Sequence, residues 1–320
     1  MNPGDPVPGG RALLFGRLLR LSLAPTALAD PLVGAFLSGG LFTLGPRVLA
    51  LPLASACVYH GAMALNDWAD REHDAKTRPD RPLPSGRVDP GVALALATTL
   101  MVSGPLVAGL TFGWVTALVL AAAALLAGLY DVAGRGPWLG PSLLGACRLT
   151  NVLFGAVAAT SVTQIPFESQ LWLAPLAYAG YVFIVSRLGR LEDDLDREPG
   201  QAPRPLLLAI GASLVVAAPI GFLSASSAHP SSSPWSLLGP LLGFGIALKA
   251  ASQPLREAQT KLDWSHGEVE RAVGAGLRRL LIFQAAVVLG AGTLAGLAIA
   301  GLILLGYPLA SRLRSVFPPS

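Results

Sequence analysis

The sequence predicts an all-α, polytopic membrane protein: a bundle of nine transmembrane helices. Hydrophobic residues make up 52% of the 320 positions and charged residues only 13%, about half the charge of an ordinary soluble domain. The mean hydropathy is +0.58. The apolar residues gather into runs of about 20, the length an α-helix needs to cross a bilayer. The 36 Gly and 27 Pro are scattered through those runs and form no tracts, which excludes a collagen-like or disordered chain. Open strands cannot satisfy their backbone in lipid, and the two-residue alternation of a membrane barrel is absent.

Nine spans follow in order, at 21–44, 48–66, 91–108, 112–130, 141–161, 171–188, 205–225, 235–252 and 280–306. The first carries Pro25, Asp30 and Pro31 and is expected to be kinked or broken. Ala27-Leu28-Ala29 resembles a signal-peptide cleavage site. Arg20 and Pro25 interrupt that stretch, however, and apolar sequence continues past Asp30, so the segment is read as retained. Residues 1–18 read as a polar N-terminal cytoplasmic segment, 308–320 as a short tail, and the whole chain as one domain.

With the N-terminus cytoplasmic, 20 of the 23 Lys and Arg fall on the inner side, leaving only Arg47, Arg312 and Arg314 outside. This is a strong positive-inside bias. Nine crossings then put the C-terminus outside, and the expected location is the inner membrane of a bacterium. The net charge of +4 thus reflects topology, and no nucleic-acid partner is expected. Cys57 and Cys147 sit in apolar runs without metal-ligand spacing, and no disulfide is expected.

Charge is concentrated in the inner loops, which suits an enzyme better than a channel. The loop after the second span begins Asn66-Asp67-Trp68-Ala69-Asp70 and reaches Asp74. Asp67, Asp70 and Asp74 are spaced i, i+3, i+7, so they share one helical face. Three carboxylates on one face repel one another unless a cation neutralises them. Mg²⁺ takes oxygen ligands and is commonly shared with substrate phosphates. Lys76, Arg78 and Arg81 follow at once, so acids for a metal and bases for a phosphate lie in one span. The alternative is a solvated helix end with incidental acids.

Asn66-Asp67-x-x-Asp70-x-x-x-Asp74 resembles the first aspartate-rich motif of the UbiA superfamily of intramembrane prenyltransferases. Arg81-Pro82-Leu83-Pro84-Ser85-Gly86 is similar to the segment that follows that motif. The motif's place between the second and third spans and the nine-helix count agree, so the resemblance covers nearly the whole chain. It implies that Mg²⁺, held by two aspartate-rich motifs, binds a prenyl diphosphate. Diphosphate departs to leave an allylic cation, which a lipophilic acceptor, often aromatic, then captures. Preorganised cations lower that barrier, a dry cavity keeps water from the cation, and aromatic faces stabilise it.

The resemblance implies roles for named residues. Asp67, Asp70 and Asp74 are the first metal group, with Asn66 orienting ligands or diphosphate. Asp193 and Asp196, with Glu192 as a competing partner, are the second; an acid that the family often carries earlier is missing near Ser186 and Arg187. Lys76, Arg81, Arg135, Arg187 and Arg190 are diphosphate partners, and Tyr130 faces the diphosphate. Arg148 and Asn151, in or near the fifth span, are substrate-binding candidates, since an arginine inside a span usually faces the bundle interior. By the same logic Asp30 is a contact on the acceptor side. Tyr130-Asp131, Cys147-Arg148 with Asn151, and Ser186-Arg187 with Glu192 are similar to the EboC-like branch of the superfamily. His60 and His73 read as packing or interfacial residues.

Three other readings compete, one of them a catalytically silent relative acting as a scaffold, suggested by the eroded second acidic group. A secondary transporter is suggested by Asp30 and the kinked first span, but no matching broken helix occurs in the other half. A CDP-alcohol phosphotransferase also uses spaced aspartates at a helix end, but the glycines and arginine expected inside its motif are missing at Trp68, Ala69 and Arg71.

Overall fold

A computed structural model describes residues 10–134, 136–164, 167–194, 203–225, 234–261 and 264–317. Its helices are α1 (Gly10–Leu18), α2 (Ala24–Leu37), α3 (Ala50–Thr77), α4 (Pro90–Phe112), α5 (Trp114–Ala133) and α6 (Leu139–Thr163). Then come α7 (Leu173–Asp194), α8 (Arg204–Ser224), α9 (Trp235–Thr260), α10 (His266–Gly290) and α11 (Leu294–Val316). No strand occurs among the described residues. Nine of the described helices are long and apolar enough to cross a membrane, as expected.

The membership of the nine differs from the expectation. The 21–44 stretch is broken into a 3-10 turn at Leu21–Leu23, the short helix α2, and a second 3-10 stretch, Phe42–Leu49, bent at Gly45 (φ 53°). The 280–306 stretch is two helices. Gly292 adopts a left-handed φ of 66°, and the Thr293 hydroxyl accepts from the Gly296 amide at 2.9 Å to start α11, so the chain reverses between Gly290 and Leu294. The polar stretch before residue 280 is the first half of α10, opened by a capping box of Ser265 and Glu268.

This reversal corrects the predicted topology. A Cβ on Gly16 would meet the Phe317 ring, and Arg314 shares a cleft with Ser22 and Arg278. The two ends of the described chain therefore lie at one end of the bundle, not on opposite sides. Arg312 and Arg314 join the other basic residues there, and of the three expected exceptions only Arg47 stands. The predicted tail from 308 is mostly the last turns of α11, and the N-terminal segment contains α1, whose Leu14 and Leu18 pack with Ala64, Leu83 and Ala93.

Small residues set the close packing at the centre. A Cβ on Gly155 would lie 1.8 Å from the Pro31 carbonyl oxygen, and one on Gly34 would lie 1.9 Å from that of Val152. Helices α2 and α6 thus touch backbone to backbone, which only glycine allows. The outer faces carry exposed Leu110, Leu125, Leu241 and Leu305, the apolar coat that lipid requires. α3 is 28 residues long, about 42 Å, against a hydrocarbon core of about 30 Å. Its last turns therefore project past the lipid core and carry the acidic stripe with them.

The topology predicts that Lys76→Cys and Ser311→Cys are modified by a membrane-impermeant maleimide from one side of sealed vesicles, and Gln164→Cys from the other. Labelling of the Ser311→Cys protein from the Gln164 side would contradict the paired α10–α11 reversal.

Candidate active site

The acidic stripe is legible in the structure at its two ends. Asp67 is 2% exposed and Asp74 3%, and both face the buried Arg81. Its Nη1 donates to Asp74 Oδ2 at 2.6 Å and lies 3.9 Å from Asp67 Oδ1. The segment after α3 is folded to place this arginine. The Ser85 and Gly86 amides donate back to Arg81 and Leu83, and the Val88 amide to Pro82 at 3.0 Å. Gly86 has φ 71°, a left-handed value that suits glycine. Asp89 then caps α4, accepting from the Gly91 and Val92 amides at 2.8 and 3.1 Å.

A second cation comes from an unpredicted place. Arg20 Nη2 donates to Asn66 Oδ1 at 2.8 Å and to Asp67 Oδ1 at 2.9 Å. Its backbone is left-handed (φ 49°, ψ 50°), uncommon for a residue with a side chain and usually fixed by its surroundings. Burial lowers the pKa of its guanidinium, but Asp67, Tyr59 and Tyr130 together raise it above the ordinary value. Asn66 is the hub of the cluster: its amide donates to Asp131 Oδ1 at 3.0 Å and, at 3.4 Å, to Asp70 Oδ2. Asp131, at the end of α5, is 6% exposed. Tyr130 lies within electrostatic reach of Arg190, Asp131, Arg20 and Asp70.

Among the described residues, Asp67 Oδ2 and Asp131 Oδ2 are buried with no hydrogen-bond partner. Orphaned buried carboxylate oxygens are costly, and the donors around them are hard oxygens. No three His, Cys, Asp or Glu side chains converge as a ready-made metal group among the described residues. Mg²⁺ needs only one or two carboxylates when waters and substrate phosphates complete its shell, so the residues present fit it.

The model of the UbiA prenyltransferase family matches residues 23–266. The chain belongs to that family. A digeranylgeranylglyceryl phosphate synthase of Methanopyrus kandleri is 31% identical over 268 residues, 80% of this chain and 92% of that protein. The synthase of that name in Methanothrix thermoacetophila is 36% identical over 156 residues, which span 48% of this chain and 58% of the relative's length. A UbiA homologue from Archaeoglobus fulgidus, solved bound to GPP and Mg²⁺, shares the fold at a TM-score of 0.58 and 15% identity, covering 90% of this chain and 99% of that one. This UbiA-family protein is an integral membrane enzyme, a prenyltransferase.

Other predicted site residues fall elsewhere in this prenyltransferase. Arg148 and Asn151 are not at the Asp67 cluster; they surround Asp30, which is fully buried. Arg148 donates to Asp30 Oδ2 at 2.8 Å and to the Thr26 hydroxyl at 2.7 Å. The Asn151 amide reaches Asp30 Oδ2 at 2.9 Å and the Ser55 hydroxyl at 2.8 Å. Gln284 of α10 approaches Asp30 Oδ1 at 2.5 Å and the Tyr178 hydroxyl at 3.1 Å. Asp30 thus ties α2 to α6 and α10, with α3 joined through Ser55. The Tyr59 ring lies 6.0 Å from the Arg148 guanidinium carbon and within electrostatic reach of Arg20. It stands between the inner network and the acidic cluster.

Arg187 and Arg190 hold the α5–α6 connection. Arg187 donates to the Pro137 carbonyl at 2.6 Å and lies 4.5 Å over the Trp138 ring, while Arg190 donates to the Gly134 carbonyl at 3.1 Å. Lys76 is exposed in the last turn of α3. Glu192 and Asp193 fall in the last turn of α7, with side chains outside the described set; Arg135 and Asp196 lie outside the described residues. His60 Nδ1 sits 2.8 Å from the Leu19 carbonyl, and His73 is exposed. Both cysteines are free.

Sequence reasoning singled out neither Arg20, counted only toward topology, nor Gln284 and Ser55. A polar side chain inside an apolar run was the available signal for the last two.

Removing one partner of a buried ion pair leaves the other charge uncompensated. Arg148→Ala is expected to lower stability by about 3–5 kcal/mol, seen as a fall in the thermal midpoint in detergent. Adding Asp30→Asn is expected to recover part of the loss. An unchanged midpoint in the single variant would place Arg148 outside any essential pair.

Proposed function

We propose that this enzyme transfers a prenyl group from a prenyl diphosphate to a lipophilic acceptor, using Mg²⁺ at the cluster of Asn66, Asp67, Asp70, Asp74 and Asp131. The single observation that carries this reading is the pair of buried, unpartnered carboxylate oxygens on Asp67 and Asp131, set beside two buried or half-buried arginines at the inner rim of the bundle. The Archaeoglobus fulgidus homologue of the same fold is bound to GPP and Mg²⁺, which supports the choice of donor and metal.

In this reading Asp67, Asp70 and Asp131 would hold the metal, with Asp74 released to it when Arg81 turns to the substrate. Glu192, Asp193 and Asp196 are proposed as the second acidic group. Bound Mg²⁺ supplies neutralising charge to a diphosphate, whose oxygens gather negative charge as it departs. Arg20 and Arg81 offer further N–H donors to those oxygens, as guanidinium groups do for phosphates. Asn66 keeps Asp70 and Asp131 oriented through its amide. The carbon–oxygen bond to the diphosphate breaks, the allylic carbon is left electron-poor, and the acceptor's electron pair attacks it and loses a proton. Tyr59 and Tyr130 offer ring faces to that positive charge. The apolar bundle beyond excludes water, which would otherwise capture it. Arg187 and Arg190 act by holding the α5–α6 connection, and so Tyr130 and Asp131, in place.

The test is Mg²⁺-dependent release of diphosphate from prenyl diphosphates of several lengths, with an acceptor panel, in liposomes. Asp67→Asn and Asp131→Asn are each expected to cut the rate at least about 100-fold while insertion and thermal midpoint hold. Full activity in both variants would remove the assignment.

A further inference from the structure

Beside the acidic cluster, and separate from it, lies a cleft of about 160 Å³ between the Leu21–Leu23 turn, α10 and α11. Ser22, Leu23, Gly274, Arg278 and Arg314 line it, with the exposed Glu270 at its rim. Two guanidinium groups converge here. A Cβ built on Gly274 would lie 3.2 Å from Arg314 Nη1 and 3.7 Å from Arg278 Nη1, so the two nitrogens are less than about 7 Å apart. Among the described residues neither arginine has an ion pair or hydrogen bond, and Glu270 is not within ion-pair distance of either. Like charges held together without a partner repel, and the arrangement is relieved by an anion between them.

We infer that this cleft binds the phosphate headgroup of an anionic membrane lipid. The choice of lipid over free phosphate rests on the walls and the location. Leu23, Val273, Leu277 and Ala310 give the cleft apolar walls beside the arginines, and the outer face of α11 carries exposed Leu302, Leu305 and Leu309. A phosphate with acyl chains fits an apolar-walled slot that holds two cations at the rim of the bundle, the pattern of interhelical headgroup sites. Gly274 keeps the slot open, because any side chain there would meet both guanidinium groups. Gly274, Arg278 and Arg314 lie beyond residues 23–266 that the family model matches, so this site belongs to the chain's own C-terminal helices. It also braces the turn that follows Arg20, and so couples the surrounding lipid to the arginine that holds Asp67.

The experiment is native mass spectrometry of the full chain released from detergent, titrated with phosphatidylglycerol, phosphatidylcholine or inorganic phosphate. No substrate is present, so the outcome is independent of prenyl transfer. The wild type is expected to retain phosphatidylglycerol over phosphatidylcholine, and Arg278→Gln/Arg314→Gln to lose roughly 30-fold in that retention, the effect of two interfacial cations. Arg278→Lys/Arg314→Lys is expected to keep most of it. Equal retention by the wild type and the Gln variant would overturn the site. Inorganic phosphate that abolishes phosphatidylglycerol retention at equal concentration would overturn the lipid assignment.

Discussion

The burial of acidic side chains at the inner end of α3 is the constraint on which the rest of the architecture depends. A carboxylate withdrawn from water must find a cation or donors that replace its hydration. Asp67 and Asp74 are nearly inaccessible, and the fold answers with two arginines from opposite directions in sequence. Arg81 arrives from a tightly turned segment after α3. Arg20 arrives from the turn before α2, in a left-handed conformation. Asn66 then links the arginine side to Asp131, drawing the end of α5 to the end of α3. Even so, the compensation is incomplete, since one oxygen each of Asp67 and Asp131 has no partner among the described residues. In the proposed reading these two oxygens are where an added cation would bind.

Below that rim the same logic recurs without surplus charge. Asp30 is surrounded by Arg148, Asn151 and Gln284, a network in which donors outnumber the carboxylate oxygens and Gln284 Oε1 alone is left without a partner among the described residues. Its role is to fix α2, the short helix at the centre, against its neighbours. Gly34 and Gly155 let α2 and α6 approach backbone to backbone, and the network gives that approach a register. The contrast lies in the carboxylates: both oxygens of Asp30 have donors, whereas Asp67 and Asp131 each keep one buried oxygen without a partner among the described residues.

Much of this was legible in the sequence. The apolar runs of about 20 residues gave the membrane-helix fold, and the i, i+3, i+7 spacing put Asp67 and Asp74 on one buried face of α3. The two terminal spans were not legible by hydropathy. Asp30 and the prolines concealed a short helix, and the apolar halves of α10 and α11 ran together across Gly290–Thr293. The local signals at that break were present, a glycine able to take positive φ and a threonine cap, and a capping box at Ser265 and Glu268 marked the true start of α10. Hydropathy averages over such signals. Arg148 and Asn151 were recognised as inward-facing, but which acid they meet depends on how α2 packs against α6 across more than a hundred residues of sequence. Arg20 was unreadable for the same reason, because its partner is supplied by a different helix.

The most direct measurement of the central claim is electron paramagnetic resonance of Mn²⁺, standing in for Mg²⁺, added to the purified protein with and without a non-hydrolysable prenyl diphosphate. The account predicts bound Mn²⁺ in the presence of the analogue, and its loss in an Asp67→Asn/Asp131→Asn variant that keeps its fold. Equal Mn²⁺ binding in that variant would contradict the account.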